Sequence, residues 1–335
     1  MRVTPMDGRH GKHQEPARGS WLREAWRGLL PIGVATGVVL VVGGGFDVLE
    51  RHQGAEKSRS AKAASDAEPT VPRFVVGVAA DGSALVVRDS GTGADTGPPV
   101  APPPGRRFTR VASGPDGSYV VASSGGGTVT FQRLALDDDG RVEELAPLPK
   151  AVAPGESAGW SDLAVAADGR IAYVTYAGTR GTVAVLDPDT GARKAWPTTL
   201  RGRIGGLSWS GDTLAFAWTA SGAPQIRTID TAAPAGDLTS SKAVATLPSG
   251  TSAAFLRPDG STIVTGRVQD ANLVLQAFTA SGEPGQVIWK HPVEGDPELK
   301  ALDPAENGAL LALADDVHTP AGDPLPGKDL ADAAW

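Results

Sequence analysis

Thr-Arg-Val-Ala-Ser-Gly-Pro-Asp-Gly (109–117) decides how this chain is read, because the phrase comes back. It returns as Ser-Asp-Leu-Ala-Val-Ala-Ala-Asp-Gly (161–169), as Gly-Gly-Leu-Ser-Trp-Ser-Gly-Asp (205–212) and as Ser-Ala-Ala-Phe-Leu-Arg-Pro-Asp-Gly (252–260). A looser copy, Leu-Lys-Ala-Leu-Asp-Pro-Ala-Glu-Asn-Gly, stands at 299–308. Each copy is a short apolar run closed by an Asp-Gly-like turn, followed by a second apolar run and a second Gly-marked turn. From the first turn glycine to the second, 117 to 140 is 23 residues, 169 to 191 is 22 and 260 to 282 is 22. Runs between them, such as Ile-Ala-Tyr-Val-Thr-Tyr (171–176) and Thr-Val-Ala-Val-Leu-Asp (182–187), are short and rich in β-branched residues, which suits antiparallel strands. The second turns, Asp-Asp-Asp-Gly (137–140), Asp-Pro-Asp-Thr-Gly (187–191) and Ala-Ser-Gly (280–282), supply residues that tolerate φ > 0 at a hairpin tip.

The repeats start at 109, 161, 205, 252 and 299, so they are 52, 44, 47 and 47 residues apart. That period fits one four-stranded blade of a β-propeller, about 40–50 residues, and no 3.6-residue pattern points to helical repeats. Before 109 the chain begins mid-repeat, with Phe-Val-Val-Gly-Val-Ala (74–79), an Asp81-Gly82 turn and Ala-Leu-Val-Val-Arg-Asp (84–89). The opening strand missing there has a candidate at the other end, Leu-Ala-Asp-Ala-Ala-Trp (330–335). The expectation is an all-β, six-bladed propeller over 73–335, with four-stranded antiparallel blades and a C-terminal strand that completes the N-terminal blade. Closing the ring leaves only short, protected strand edges.

The chain has 335 residues, 41% of them apolar, with 43 Gly, 27 Pro and no Cys. It is large enough to bury a substantial core, and its Gly and Pro content suits a turn-rich β protein. Without cysteine there is no disulfide framework, thiol nucleophile, iron–sulfur cluster or lipid-modified cysteine.

Residues 28–46 form an uncharged run of 19, close to the roughly 20 that span a bilayer as a helix. The preceding 1–27 carries six Arg and Lys against three Asp and Glu, or +3, so the positive-inside rule keeps it cytoplasmic and sends the propeller outward. With −7 for the whole chain, 28–335 carries −7 − 3 = −10, a poor charge for binding nucleic acid. The long basic flank and the lack of a nearby Ala-x-Ala site favour an uncleaved signal anchor over a cleaved signal peptide. The expected layout is a cytoplasmic tail (1–27), a transmembrane helix (28–46), a stalk (47–72) and an extracytoplasmic propeller, in a single-pass membrane protein. Trp21 and Trp26 fall on one helical face before the span and suit the headgroup level. Gly33 and Gly37 form a GxxxG that offers a weak dimer contact. As a flexible coil the 26-residue stalk would span about 28 Å.

Chemistry is sparse in this sequence. Beyond the anchor run stand His52, His291 and His318, with no HExxH and no phosphate-binding loop. A hydrolase would have to use carboxylates, or a serine outside a recognisable elbow. Asp162, Asp296 and Glu298 lie beside first strands, where propellers present residues to the central channel, but solvated turn acids are the simpler reading. The acids at 137–139 and 143 fail the calcium-loop spacing, and Asp187-x-Asp189 reads as a turn, so no metal or cofactor is assigned. Trp209 and Trp218 are expected to pack between blades, whereas Trp160 and Trp196, placed in loops, are the ligand-binding candidates. The segment 98–105 reads equally well as a polyproline ligand and as a stiff connection between blades.

The phrases Leu-Ser-Trp-Ser-Gly-Asp-Thr-Leu-Ala-Phe (207–216), Phe-Leu-Arg-Pro-Asp-Gly-Ser-Thr-Ile-Val (255–264) and Ala-Val-Leu-Asp-Pro-Asp-Thr-Gly (184–191) resemble the WD-type and TolB-like repeats of bacterial β-propellers. The resemblance covers 73–335, and the anchored layout is similar to single-span propeller proteins of high-GC Gram-positive bacteria. The Trp-Asp dipeptide and Gly-His pair of the eukaryotic repeat are absent. The resemblance implies a binding role, here for a protein, peptide or glycan of the cell envelope. Two alternatives stand beside it: a hydrolase or lyase using channel carboxylates, with or without a metal, and an envelope sensor signalling through the cytoplasmic tail.

Overall fold

The runs that read as strands are apolar at nearly every position because both of their faces are buried. In Ile171–Ala177, Ile171 and Tyr173 pack toward the preceding blade while Ala172, Val174 and Tyr176 pack toward the following one. Successive strand residues point to opposite faces, so a strand sandwiched between two sheets alternates which neighbour it serves and not whether it is buried.

The computed structural model describes residues 71–335 apart from 221, 306 and 321. The anchor run, Trp21, Trp26, Gly33, Gly37 and most of the stalk lie outside these residues. Among the described residues no helix is long and apolar enough to cross a membrane.

Six antiparallel sheets follow one another along the chain. Blade 1 combines Phe74–Ala79 and Leu85–Asp89 with the C-terminal strand Leu330–Ala334. Blades 2 to 6 occupy 107–154, 163–201, 203–246, 253–292 and 301–326, each with four strands in chain order. The C-terminal strand does complete the N-terminal blade, pairing Val76 with Ala334, Gly77 with Ala333 and Val78 with Asp332. Six apolar clusters lie one at each blade-to-blade contact; that between blades 6 and 1, for example, joins Val75 to Leu311, Leu313, Val317, Leu330 and Trp335. A cluster at every interface, including the one linking last blade to first, means the ring is closed.

Two seam details explain departures from the regular pattern. The outer edge of blade 1 is made by two isolated bridges, Arg88 to Asp95 and Leu85 to Val100, because the prolines around Val100 remove the N–H donors a full strand needs. The stiff segment 98–105 is therefore partly the fourth strand of blade 1. Beside it the buried Arg88 guanidinium meets Asp329 at 2.6 Å, Asp95 at 3.1 Å and the Pro326 carbonyl, tying blade 1 to the end of blade 6.

Candidate binding site at the central channel

The inner strands surround a channel of about 850 Å³. In four-stranded blades joined in order, the loops leading into each inner strand share one end of the channel with the turns between second and third strands. That end is called the loop face below; the Asp-Gly turns lie at the other.

Six aspartates line the channel: Asp168, Asp212 and Asp259 are exposed at its Asp-Gly-turn mouth, and Asp162, Asp303 and Asp332 stand further in. Each of these last three accepts a backbone N–H from the inner strand of the next blade: Leu207 to Asp162 at 2.8 Å, Trp335 to Asp303 at 3.1 Å and Val111 to Asp332 at 2.8 Å. Between blades 4 and 5 a serine does the same, Ser208 Oγ accepting from Leu256 N at 3.3 Å. Between blades 2 and 3 the polarity reverses, and the Arg110 guanidinium donates to the carbonyls of Gly159 and Ser161. Register shifts after Phe108 and after Gly205 mark bulges at the donor strands, which turn the N–H groups of Val111 and Leu207 toward the neighbouring blade.

Burial raises the proton affinity of all three acids, because an ionised carboxylate loses its hydration there. Asp303 is lifted to about 8; the Trp335 N–H opposes the rise, and the charges of Asp332 and Asp162 add to it. Asp332 is lifted to about 7 against the pull of the Arg110 charge and the Val111 N–H. Asp162 is also raised by burial, with the Leu207 N–H and Arg110 acting against it. Asp332 is only 6% exposed, whereas Asp162 and Asp303 keep part of their surface open to the channel, so water there moderates the effect on those two.

At the loop face the mouth carries Trp160, Arg203 and Lys300. Trp160 is 41% exposed and stands edge-on to Tyr176, ring centres 5.7 Å apart. The Tyr176 hydroxyl accepts from Ile204 N at 2.9 Å and lies 3.2 Å from Ile204 O, and Arg110 grips the carbonyl of Gly159 next to the indole. The indole is thus backed by a braced ring and open to solvent. Arg203 meets Glu298 at 3.3 Å, an ion pair that joins blade 4 to the loop leading into blade 6.

The placement of the sequence candidates is uneven. Trp160 lies in a loop, as read, and lines the mouth. Trp196 does not lie in a loop: it sits within the strand Arg193–Arg201, 3% exposed, packed with Val183, Val185 and Ile204, because its position alternates with exposed neighbours. Asp162 is no solvated turn acid, since the Leu207 N–H draws it inward. Asp296 and Glu298 are exposed and outside the channel lining. Trp209 and Trp218 pack between blades 3 and 4, as expected. The acids at 137–139 shape a turn in which Asp137 accepts from the N–H groups of Asp139 and Arg141.

Sequence reasoning passed over Asp303, Asp332 and Arg110. The signal was available, because Asp162 and Arg110 are both second residues of their repeats, and Asp332 stands in the strand that supplies the missing inner position. It also counts G-x-S-x-G as absent, wrongly, since Gly-Glu-Ser-Ala-Gly (155–159) fits that pattern. The structure gives that motif neither the strand–turn–helix setting nor a base. Ser157 Oγ lies 2.7 Å from the Tyr173 hydroxyl, which lies 3.1 Å from Thr109 Oγ1, and His291 and His318 face each other between blades 5 and 6 outside the channel lining. Ser157 is a loop-fixing hydroxyl.

No protein-family model matches the chain, and no curated protein matches it. Solved structures resemble it in fold. A protein of unknown function from Bacteroides caccae gives a TM-score of 0.47 at 12% identity, covering 79% of this chain and 98% of the other. TolB from Acinetobacter baumannii gives 0.46 at 16%, covering 78% and 66%. A candidate 6-phosphogluconolactonase from Bacteroides uniformis gives 0.45 at 15%, covering 73% and 91%. The likeness is one of propeller architecture and leaves the activity open.

Proposed function

We propose that this propeller is a non-catalytic binding module of the cell envelope, which takes a protein, peptide or glycan at the loop-face mouth of its channel. The observation that carries the reading is the use made of the channel acids. Each of the three inner ones, Asp162, Asp303 and Asp332, is engaged by a backbone N–H of the next blade, and Ser208 fills the same role where no acid stands. A serine has no proton chemistry at neutral pH, so what the four positions share is the joining of blades. What remains for a ligand is the mouth, with a braced and exposed Trp160 that offers apolar area at small entropic cost. The apolar run 28–46 and its basic flank support an extracytoplasmic setting, the propeller held near the bilayer by its stalk.

Photocrosslinking in the native membrane tests this. A photoreactive residue at 160 in the full-length chain should capture a ligand that one at 287, exposed on the outer strand of blade 5, does not. Equal capture from both positions sinks the reading.

One observation favours a second reading. Asp303 near 8 and Asp332 near 7 titrate close to neutrality in one channel, as an acid and base pair would. Asp303→Asn separates the two readings, because an amide oxygen still accepts from Trp335 N but carries no proton to transfer. Capture at 160 that persists in this variant agrees with binding alone. A captured ligand that the native chain converts and Asp303→Asn does not would transfer the assignment to an enzyme.

A further inference from the structure

Some arginines toward the loop face are spent, Arg106 by the carbonyls of Ser123 and Thr128 and Arg110 by three carbonyls, while Arg107 and Arg267 meet no acid within 4.0 Å among the described residues. Arg180 and Arg201 differ from these in facing each other. They are direct cross-strand partners at the end of blade 3, both exposed, and among the described residues no acid lies within 4.0 Å of either. Like charges placed opposite one another destabilise a strand pair, so the fold gains nothing from this arrangement. Two residues on stands Arg203, at the channel mouth beside Trp160. Leu200, next to Arg201, is 48% exposed, one of four large apolar side chains left open to solvent among the described residues.

The chain itself shows what this cluster accepts. Arg203 is met at 3.3 Å by Glu298, which is carried across from Glu-Gly-Asp-Pro-Glu (294–298), an exposed loop with acids at alternate positions. That loop reaches one of the three arginines and leaves the other two unmet. Its carboxylate is delivered on a polypeptide, not on a sugar.

We infer that the loop face where blades 3 and 4 meet is a docking site for an acidic, extended polypeptide segment of a partner protein, with Arg180, Arg201 and Arg203 receiving carboxylates and the exposed Trp160 and Leu200 offering apolar surface. This rests on the loop-face binding reading above and specifies its ligand class. Guanidinium groups pair with carboxylates through two parallel N–H donors, so three of them at the loop face select for several acids in a row. Glu298 then acts as an internal competitor that the incoming segment displaces from Arg203. The Trp160 and Leu200 surfaces supply the apolar contact that charge alone lacks, since exposed ion pairs contribute little.

The test uses purified full-length protein in a neutral detergent and a fluorescein-labelled peptide, Glu-Gly-Asp-Pro-Glu in tandem, with the same peptide carrying Gln and Asn in place of the acids. Fluorescence anisotropy at low ionic strength should show the acidic peptide binding at least about tenfold tighter than its amide twin, with the difference shrinking as salt screens the charges. Arg201→Glu should weaken binding about tenfold, and Arg180→Gln should weaken it less; both sites are exposed, and matched melting curves would confirm that folding is intact. Glu298→Gln should strengthen binding about threefold by freeing Arg203, a gain that a merely structural role for the ion pair would not give. Equal binding of the two peptides, or affinity unchanged by both arginine variants, overturns the inference. So does tighter binding of an acidic oligosaccharide than of the peptide. Salt-sensitive self-association that Glu298→Gln abolishes also overturns it, by making a second copy of the chain the occupant. If capture from position 160 survives Arg201→Glu unchanged, this assignment fails while loop-face binding stands.

Discussion

Asp303→Asn makes the propeller more stable at pH 8 by about 2–3 kcal/mol and leaves it within about 0.5 kcal/mol of the native chain at pH 4. The sign follows from the raised proton affinity. Below about pH 4 the Asp303 carboxyl is protonated in folded and unfolded chains alike, and its full contribution to stability is present. Between the ordinary value of 3.8 and the folded value of about 8 the unfolded chain ionises while the folded chain resists, so stability drains away as pH rises through that window. The full gap would amount to about 5–6 kcal/mol, but channel water solvates part of the carboxylate, which is why roughly half is expected. Asparagine stays neutral throughout and still accepts the Trp335 N–H, so it escapes the loss. Urea unfolding of both proteins at pH 4, 6 and 8 measures the effect. A difference between the two that does not change with pH would show that the neighbouring charges and the burial do not act on Asp303 as described.

Gly206→Ala is expected to destabilise the fold by more than about 3 kcal/mol, a fall of roughly 6–12 °C in melting temperature for a domain this size. Gly206 sits in the inner-strand bulge of blade 4 with φ +61, and a Cβ there would lie 1.6 Å from the Ala254 carbonyl of blade 5. The left-handed backbone alone costs an alanine about 1 kcal/mol. The collision is the larger part, because the atom in the way is backbone. Moving it would separate blades 4 and 5 and break the bond from Leu256 N to Ser208. Gly105 provides the comparison, with φ +74 and nothing within 4 Å of its Cβ position, so Gly105→Ala should cost only the backbone part, about 1 kcal/mol. Equal losses at the two sites would show that close approach of the blades is not what requires glycine at 206.

The architecture was legible because its two rulers are both short. The turn-to-turn spacing reports a hairpin, and the repeat period reports a blade; neither needs knowledge of what lies across the ring. The orphan strands at 74–89 and 330–335 were joined by the same logic, each lacking what the other supplied. Individual side chains were harder to place. Whether Trp196 faces solvent or core depends on which residue of Arg193–Arg201 pairs with Val183, and a slip of one position reverses the answer. Asp162 looked like a surface acid because the N–H that buries it belongs to Leu207, 45 residues away in the next repeat. Asp303 and Asp332 were obscured by an irregular sixth repeat and a strand cut off from its own blade. The pairing of Arg180 with Arg201 rests on strand register across a 21-residue separation, which charge counting along the sequence does not reveal.

The seam between Phe74–Ala79 and Leu330–Ala334 also sets a clock on biosynthesis. At about 5–20 residues per second, roughly 13 to 50 s separate the appearance of the first strand from that of its inner partner. Throughout that interval Val76 and Val78 offer an unpaired strand edge to whatever else is nearby, and the blades already made form an arc with two sticky ends. The nascent chain is thus most vulnerable just before Leu330–Ala334 emerges, and a ribosome stalled shortly before that strand leaves a product more prone to aggregate than one stalled early.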